Sequence, residues 1–198
     1  MTSHRCTLRL LVVLVVGLGS LVASEAQERV RIQTELGDID VVLDSEAAPR
    51  TVANFLRYVD AGHYDGGQFH RTVTMANQPD NEVKIEVVQA SVNAAHREKG
   101  FTAIELETTS TTGLSHRDGT ISMARGGPNS ATSSFFFCIG DQPELDFEGR
   151  RNPDGQGFAA FGRIERGLEV VKNVQSSPHQ AQRLEPPVKI LRIYRLER

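Results

Sequence analysis

The stretch VRIQTELGDIDVVL, Val30 to Leu43, decides how the rest of the chain is read. Val30 and Ile32 alternate with Arg31 and Gln33, and beyond Leu36-Gly37-Asp38 the apolar Ile39, Val41 and Leu43 alternate with Asp38 and Asp40. Period-two alternation on both sides of a glycine turn is a β-hairpin with one buried face. Next, Pro49 occupies a first helical position, and Val52, Phe55, Leu56 and Val59 recur at i, i+3, i+4 and i+7. That spacing predicts an amphipathic helix of about three turns, ended by Gly62. Short apolar or alternating runs then dominate: Phe69 to Val73, Val83 to Gln89, Thr120 to Arg125, Ser134 to Ile139, Phe158 to Ile164 and Val188 to Leu196. A second helix is expected near Gly167 to Gln175, with Leu168, Val171 and Val174 on one side. About eight strands and two helices without regular β-α alternation imply a mainly β fold, a closed antiparallel barrel capped by the helices. Thr108 to Asp118, Asp141 to Gly157 and Ser176 to Pro187 read as long loops, where function concentrates on a rigid scaffold.

The first 26 residues have a different composition. Arg5 and Arg9 lead into an apolar run from Leu10 to Val22, and small residues follow as far as Ala26. This is the order of a secretory signal segment, cleaved near Ala26. The run is shorter than the ~20 residues of a spanning helix and contains two glycines. The expected organisation is therefore a signal peptide over 1–26 and one domain over 27–198, exported to the periplasm or outside the cell. Loss of Arg5, Arg9 and Glu25 takes the formal charge from −3 to −4. With no basic run, nothing points to nucleic acid or an anionic membrane. Cys138 is then the only cysteine, which excludes an intrachain disulfide and a cysteine-based zinc site.

Familiar catalytic signatures fail on inspection. His116-Arg117-Asp118 resembles a kinase catalytic loop, but Met123 stands where a metal-binding asparagine is needed. Gly113 to Arg117 begins like a nucleophile elbow without its closing glycine. The six histidines show no metal spacing, and no glycine-rich loop leads into a helix.

Three segments taken together do carry a signal: Phe69-His70-Arg71; Val87-Val88-Gln89; and Ile121-Ser122-Met123-Ala124-Arg125-Gly126-Gly127-Pro128-Asn129, continuing to Phe135-Phe136-Phe137. In these the chain resembles the cyclophilin family of peptidyl-prolyl cis/trans isomerases. Ala48-Pro49-Arg50-Thr51-Val52-Ala53-Asn54-Phe55 and Gly157-Phe158-Ala159-Ala160-Phe161-Gly162 fall in the same order, so the resemblance covers nearly all of 27–198. It implies the eight-stranded barrel already expected, an isomerase acting without cofactor or metal, and proline-containing unfolded or flexible polypeptides as partners. A monomer is expected.

The chemistry of that reaction is undemanding in reagents. An X-Pro bond prefers trans by only about 0.5–1 kcal/mol, yet exchanges over tens to hundreds of seconds, because amide resonance must be lost during the twist. A socket for the ring, a fixed flanking backbone and a cation aimed at the twisted amide suffice, provided they act more on the transition state than on either planar isomer. An arginine suits this role, being permanently charged with a rigid fork of donors. The resemblance assigns catalysis to Arg71 and its orientation to Gln89. It places the proline socket at Phe136, Val87 and Leu145, groove-lining roles at Met123 and Ala124, and rim positions at His70 and Phe158.

The chain departs from the family's pattern in several places. The connection from Thr72 to Glu82 is long and polar, and Glu86 stands where an aromatic is usual, so one socket wall is expected to be missing or replaced. Ala90-Ser91 replaces Gly-Gly, Ser134 replaces a common glutamine, and there is no tryptophan. Two other readings are a proline-peptide binding module with little turnover and a lipocalin-like carrier; the carrier needs an open barrel interior.

Overall fold

The computed structural model describes residues 27–197, so the expected signal segment lies outside the described residues. The opening hairpin is β1 (Glu28–Thr34) and β2 (Gly37–Leu43), paired in register from Glu28–Leu43 to Thr34–Gly37. There follow α1 (Pro49–Asp60), β3 (Gln68–Val73), β4 (Val87–Ser91), a short α2 (Thr109–Thr112), β5 (Thr120–Met123), β6 (Phe135–Cys138), β7 (Ala159–Arg166), α3 (Leu168–Gln175), β8 (His179–Gln180) and β9 (Arg183–Arg195). The sheet order is β1-β2-β7-β5-β6-β4-β3-β9, with β1 returning to pair with β9 and the two-residue β8 appended outside β9. Every pairing is antiparallel, and closure leaves the eight main strands without a free edge.

Alternation sends one face of each strand inward. Val30, Ile32, Ile39, Val41, Phe69, Val88, Ile121, Phe135, Phe137, Phe161, Ile190 and Ile193 fill the interior together with the apolar faces of α1 and α3. Phe55 of α1 sits at its centre, its ring 5.3–5.5 Å from those of Tyr64, Phe135 and Phe161. An interior packed with rings holds no guest, which disposes of the carrier reading. Where β7 crosses β2, a side chain at Gly162 would stand 2.3 Å from the Val42 carbonyl, so glycine permits that approach.

The start of α1 has an unforeseen support. Ala48 offers no capping side chain, and the first free N–H groups of the helix are taken by Glu107, 56–57 residues away. Its carboxylate accepts from the Arg50 and Thr51 amides at 3.1 and 2.8 Å and from the Thr51 hydroxyl at 2.6 Å. A buried anion at a helix N-terminus is stabilised by unpaired amides and by the helix dipole.

Strand boundaries differ from expectation where side chains compete with the ladder. The run from Val83 was expected to be strand, but β4 begins only at Val87. The Ile85 carbonyl instead accepts from Gln78 Nε2 and the Val83 carbonyl from Arg151, at 2.6 Å each. The segment Ser176 to Pro187, expected as loop, contains β8 and the start of β9. Pro186 and Pro187 hid that strand; they lie where β9 slips against β3 between the Val188–Phe69 and Arg183–Arg71 pairs, and prolines are tolerated at such irregularities.

Two substitutions test this account by chemical denaturation. Phe55→Ala is expected to cost about 3–5 kcal/mol as a core truncation. Glu107→Ala, which strips three hydrogen bonds from the start of α1, is expected to cost about 2 kcal/mol; a loss below a few tenths would deny the carboxylate its capping role.

Candidate active site

The outer face of the barrel carries a second, smaller apolar cluster of Val73, Ile85, Val87, Phe136, Cys138 and Leu145, with Ala124 and Phe158 against it. Strand geometry explains its position. In β6, Phe135 and Phe137 point inward, so Phe136 and Cys138 point outward, and across the ladder Gln89 stands opposite Phe136 and Val87 opposite Cys138. Leu145 arrives on a 3₁₀ turn, Pro143–Leu145, and is fully buried. The cleft above the cluster has a volume of about 340 Å³. Its apolar floor and walls include Ile85, Val87, Phe136, Leu145 and Phe158, and Arg71 and Gln89 stand at its polar side.

The Phe136 ring is held from two sides. Phe158 meets it edge-on at 5.3 Å and 86°, and the His116 imidazole stacks on it at 6.0 Å and 13°. His116 is itself fixed: its Nδ1 lies 2.6 Å from Asp146 Oδ1 and its Nε2 2.9 Å from the Ser122 hydroxyl. A carboxylate accepts only, so the proton sits on Nδ1. His116 and Ser122 are buried beneath the ring, and the geometry of this His-Asp-Ser set serves to hold Phe136.

Arg71 reaches the surface through a β-bulge. Phe69 pairs with Ala90 and Arg71 with Gln89, so two steps on β3 match one on β4. Phe69 stays in the core while Arg71 shares the outer face with Gln89, where strict alternation would have put Phe69 and Arg71 on the same side. The guanidinium is gripped by neutral acceptors. Its Nη1 donates to Gln89 Oε1 at 3.0 Å, and its Nε and Nη2 donate to Gln182 Oε1 at 3.0 and 2.6 Å. No carboxylate cancels its charge among the described residues, and three bonds leave two of the roughly five N–H donors for a guest. Burial first, and Arg151 second, pull its pKa below the ordinary arginine value.

Two further arginines shape the rim. The buried side chain of Arg125 donates to the Gly157 carbonyl at 2.7 Å, forks onto Asp154 at 2.7 and 2.8 Å, and lies 5.2 Å above the Phe158 ring. It thereby ties the long loop after β6 over the cleft and holds the Asp154 carboxyl down to about 2. Arg151, from the same loop, lines the cleft and is anchored on Gln78 and the Val83 carbonyl. The missing aromatic wall is thus replaced by Ile85 and Arg151, while Glu86 turns away to accept from Gln175 of α3 at 3.3 Å.

The cleft brings together Arg71, Val87, Gln89, Ala124, Phe136, Leu145 and Phe158. Met123 corrects the expectation: it pairs with Phe135, is 1% exposed and faces the barrel interior, not the groove, because only alternate residues of β5 look outward. His70 lies beside Arg71 but lines a separate groove, and its Nδ1 is buried without a hydrogen-bond partner. Sequence reasoning missed Gln182, Arg151 and the His116-Asp146-Ser122 set. His116 was visible in the failed kinase motif, but nothing in the local sequence ties Gln182 to Arg71, 111 residues earlier.

The family model for cyclophilin type peptidyl-prolyl cis-trans isomerases matches residues 29–195. The chain is 32% identical over 166 residues to a peptidyl-prolyl cis-trans isomerase of Streptomyces antibioticus, an alignment covering 80% of this chain and 93% of the relative. It is 33% identical over 153 residues to peptidyl-prolyl cis-trans isomerase A of Dickeya dadantii, covering 77% and 73%. Among solved structures, a cyclophilin type isomerase of Cryptosporidium parvum superposes with a TM-score of 0.69 at 22% identity, covering 87% of this chain and 99% of that one; a second structure of that isomerase, with a TM-score of 0.68, was determined in the presence of the dipeptide Ala-Pro. A match over almost every described residue, with the barrel and its outer cleft in place, makes this chain a member of the cyclophilin-type peptidyl-prolyl cis-trans isomerase family.

Proposed function

We propose that the outer cleft is where this isomerase works, on X-Pro bonds of exported polypeptides, with Arg71 as its catalytic residue. The observation that carries the reading is a guanidinium fixed by two neutral amide oxygens at the edge of an apolar socket. The proline ring enters among Val87, Phe136, Leu145 and Phe158, and the remaining Arg71 donors take the prolyl carbonyl. As the imide twists, the nitrogen lone pair localises and conjugation is lost; a preorganised cation that gains most in that geometry lowers the barrier. Gln89 and Gln182 act as positioning residues, since each holds Arg71 without neutralising it. The Ala-Pro dipeptide used with the Cryptosporidium parvum relative supports a proline-peptide ligand. The order of charged, apolar and small residues over 1–26 supports export, and clients of the outer compartment with it. No helix among the described residues is long and apolar enough to cross a membrane.

A protease-free assay of exchange in a Pro-containing peptide tests the assignment. The chain 27–198 is expected to accelerate exchange, and Arg71→Ala to lose about a hundredfold in kcat/KM. Binding without any acceleration by the wild type would favour the module with little turnover. Gln182→Ala is expected to lose about tenfold in kcat with little change in KM, because it frees the guanidinium without touching the socket; an unchanged kcat removes Gln182 from the site.

The pH dependence has a definite sign. No proton moves in the step and arginine stays charged, so kcat/KM is expected to be flat between about pH 7 and 9. Burial, then Arg71, lowers the His70 pKa below its ordinary 6.5. The unfolded chain therefore binds that proton more readily, and folding stability should fall as pH drops below about 6.5. A bell-shaped rate profile near neutrality would contradict the mechanism. For export, the secreted product of the full gene should begin near Gln27 by N-terminal sequencing, and a product retaining residue 1 outside the cytoplasm would contradict cleavage.

A further inference from the structure

Arg71 forms a wall between two cavities. On one side lies the 340 Å³ cleft with the apolar socket, and on the other a groove of about 680 Å³ between the outer side of β3 and the β8–β9 hairpin. The groove is lined by His70, Arg71, Arg97, Arg183 and several neutral polar residues, and by no carboxylate. This asymmetry is local, because the chain as a whole carries a formal charge of −3. Arg97, exposed on the 3₁₀ turn after β4, makes no salt bridge among the described residues, and Arg183 has only a loose contact with Glu185 at 3.5 Å in which both side chains are largely solvated. Three guanidiniums converging on one hollow, with their charge uncompensated from within it, attract an anion and repel a basic chain. Gln68, Ser91, Ser134 and Gln182 add neutral donors and acceptors to a lining that also includes Ala181 and Pro187.

We propose that this groove receives the substrate chain as it leaves the proline, and that it selects an acidic side chain, a carboxylate, one to three residues after the proline. The proposal rests on the assignment of Arg71 to the prolyl carbonyl. The chain that continues past that carbonyl must cross Arg71, and what lies beyond Arg71 is the cationic groove. Arg97 and Arg183 are its outer contacts. The socket itself recognises only the proline ring, so the groove supplies a preference that the socket cannot. Because the Arg97 and Arg183 guanidiniums are at the rim and exposed, their contribution is to encounter and binding, and it is sensitive to salt.

The test uses chain 27–198 and matched peptides with one Ala-Pro bond, carrying Glu or Gln two residues after the proline or at the matching place before it. Exchange is measured by NMR at low and at high ionic strength. The expected result is a Glu-to-Gln ratio of kcat/KM of about fivefold for the position after proline at low salt, carried by KM, and falling toward one at high salt. In the Arg97→Gln, Arg183→Gln double variant the ratio should also fall toward one; a ratio taken on one preparation is independent of how much of a variant folds. Equal rates for Glu and Gln at low salt, a preference confined to Glu before the proline, or a ratio unmoved in the double variant would each overturn the proposal. If the peptides bind without being accelerated, the assignment of catalysis to Arg71 fails by itself, and the same Glu-to-Gln comparison is read from Kd.

Discussion

A barrel whose interior is filled by side chains must do its chemistry on the outside. Phe55, Phe69, Phe135, Phe137 and Phe161 occupy the space that closure encloses, and the β1–β9 pairing leaves no seam through which a ligand could enter. The alternation that fills the interior also sets what the outer face presents. In β6 the rings of Phe135 and Phe137 close the core while Phe136, between them, is left for a second apolar cluster. Three consecutive phenylalanines therefore serve two separate hydrophobic bodies, one structural and one able to take a guest.

An outer cluster has a difficulty that the core does not: the sheet covers it from one side only, and loops must supply the rest of its cover. Three devices compensate. His116, fixed by Asp146 and Ser122, backs the Phe136 ring; Phe158 meets it edge-on; and Arg125 pins the loop carrying Asp154 and Phe158 across the rim. The polar residues in this arrangement bond one another and the loop backbone. They keep the outward-facing Phe136 ring in one orientation, so that the cleft is preformed and a guest would require little ordering on binding.

The electrostatic design follows from the choice of acceptors around Arg71. A carboxylate partner would fix the guanidinium equally well and cancel the charge that the proposed step requires. Two glutamine carbonyls fix it and leave the charge in place, at the cost of desolvation that shows as a lowered pKa. Arg151 nearby adds positive potential. The site is cationic on a mildly acidic molecule, which separates the behaviour of the site from that of the surface as a whole.

Much of this was legible in the sequence. The β1–β2 hairpin, the α1 stripe of Val52, Phe55, Leu56 and Val59, the α3 stripe and the alternating strands are local patterns, and local periodicity determines which face of an element is apolar whatever it packs against. The ordered FHR, VVQ and FFF segments pointed to the cleft residues by a different route, the resemblance to a family, residue by residue. What sequence could not decide was non-local. The bulge that turns Arg71 outward, the slip of β9 around Pro186 and Pro187, the capture of Glu107 by α1 and the bond from Gln182 to Arg71 depend on which strands become neighbours. Met123 shows the limit most simply: its chemistry suits groove or core alike, and only the register of β5 against β6 turns it inward. Composition and spacing determined what each segment could bury; the closing of the sheet decided which side chains would meet, because pairing partners far apart in the chain leave no trace in either segment alone.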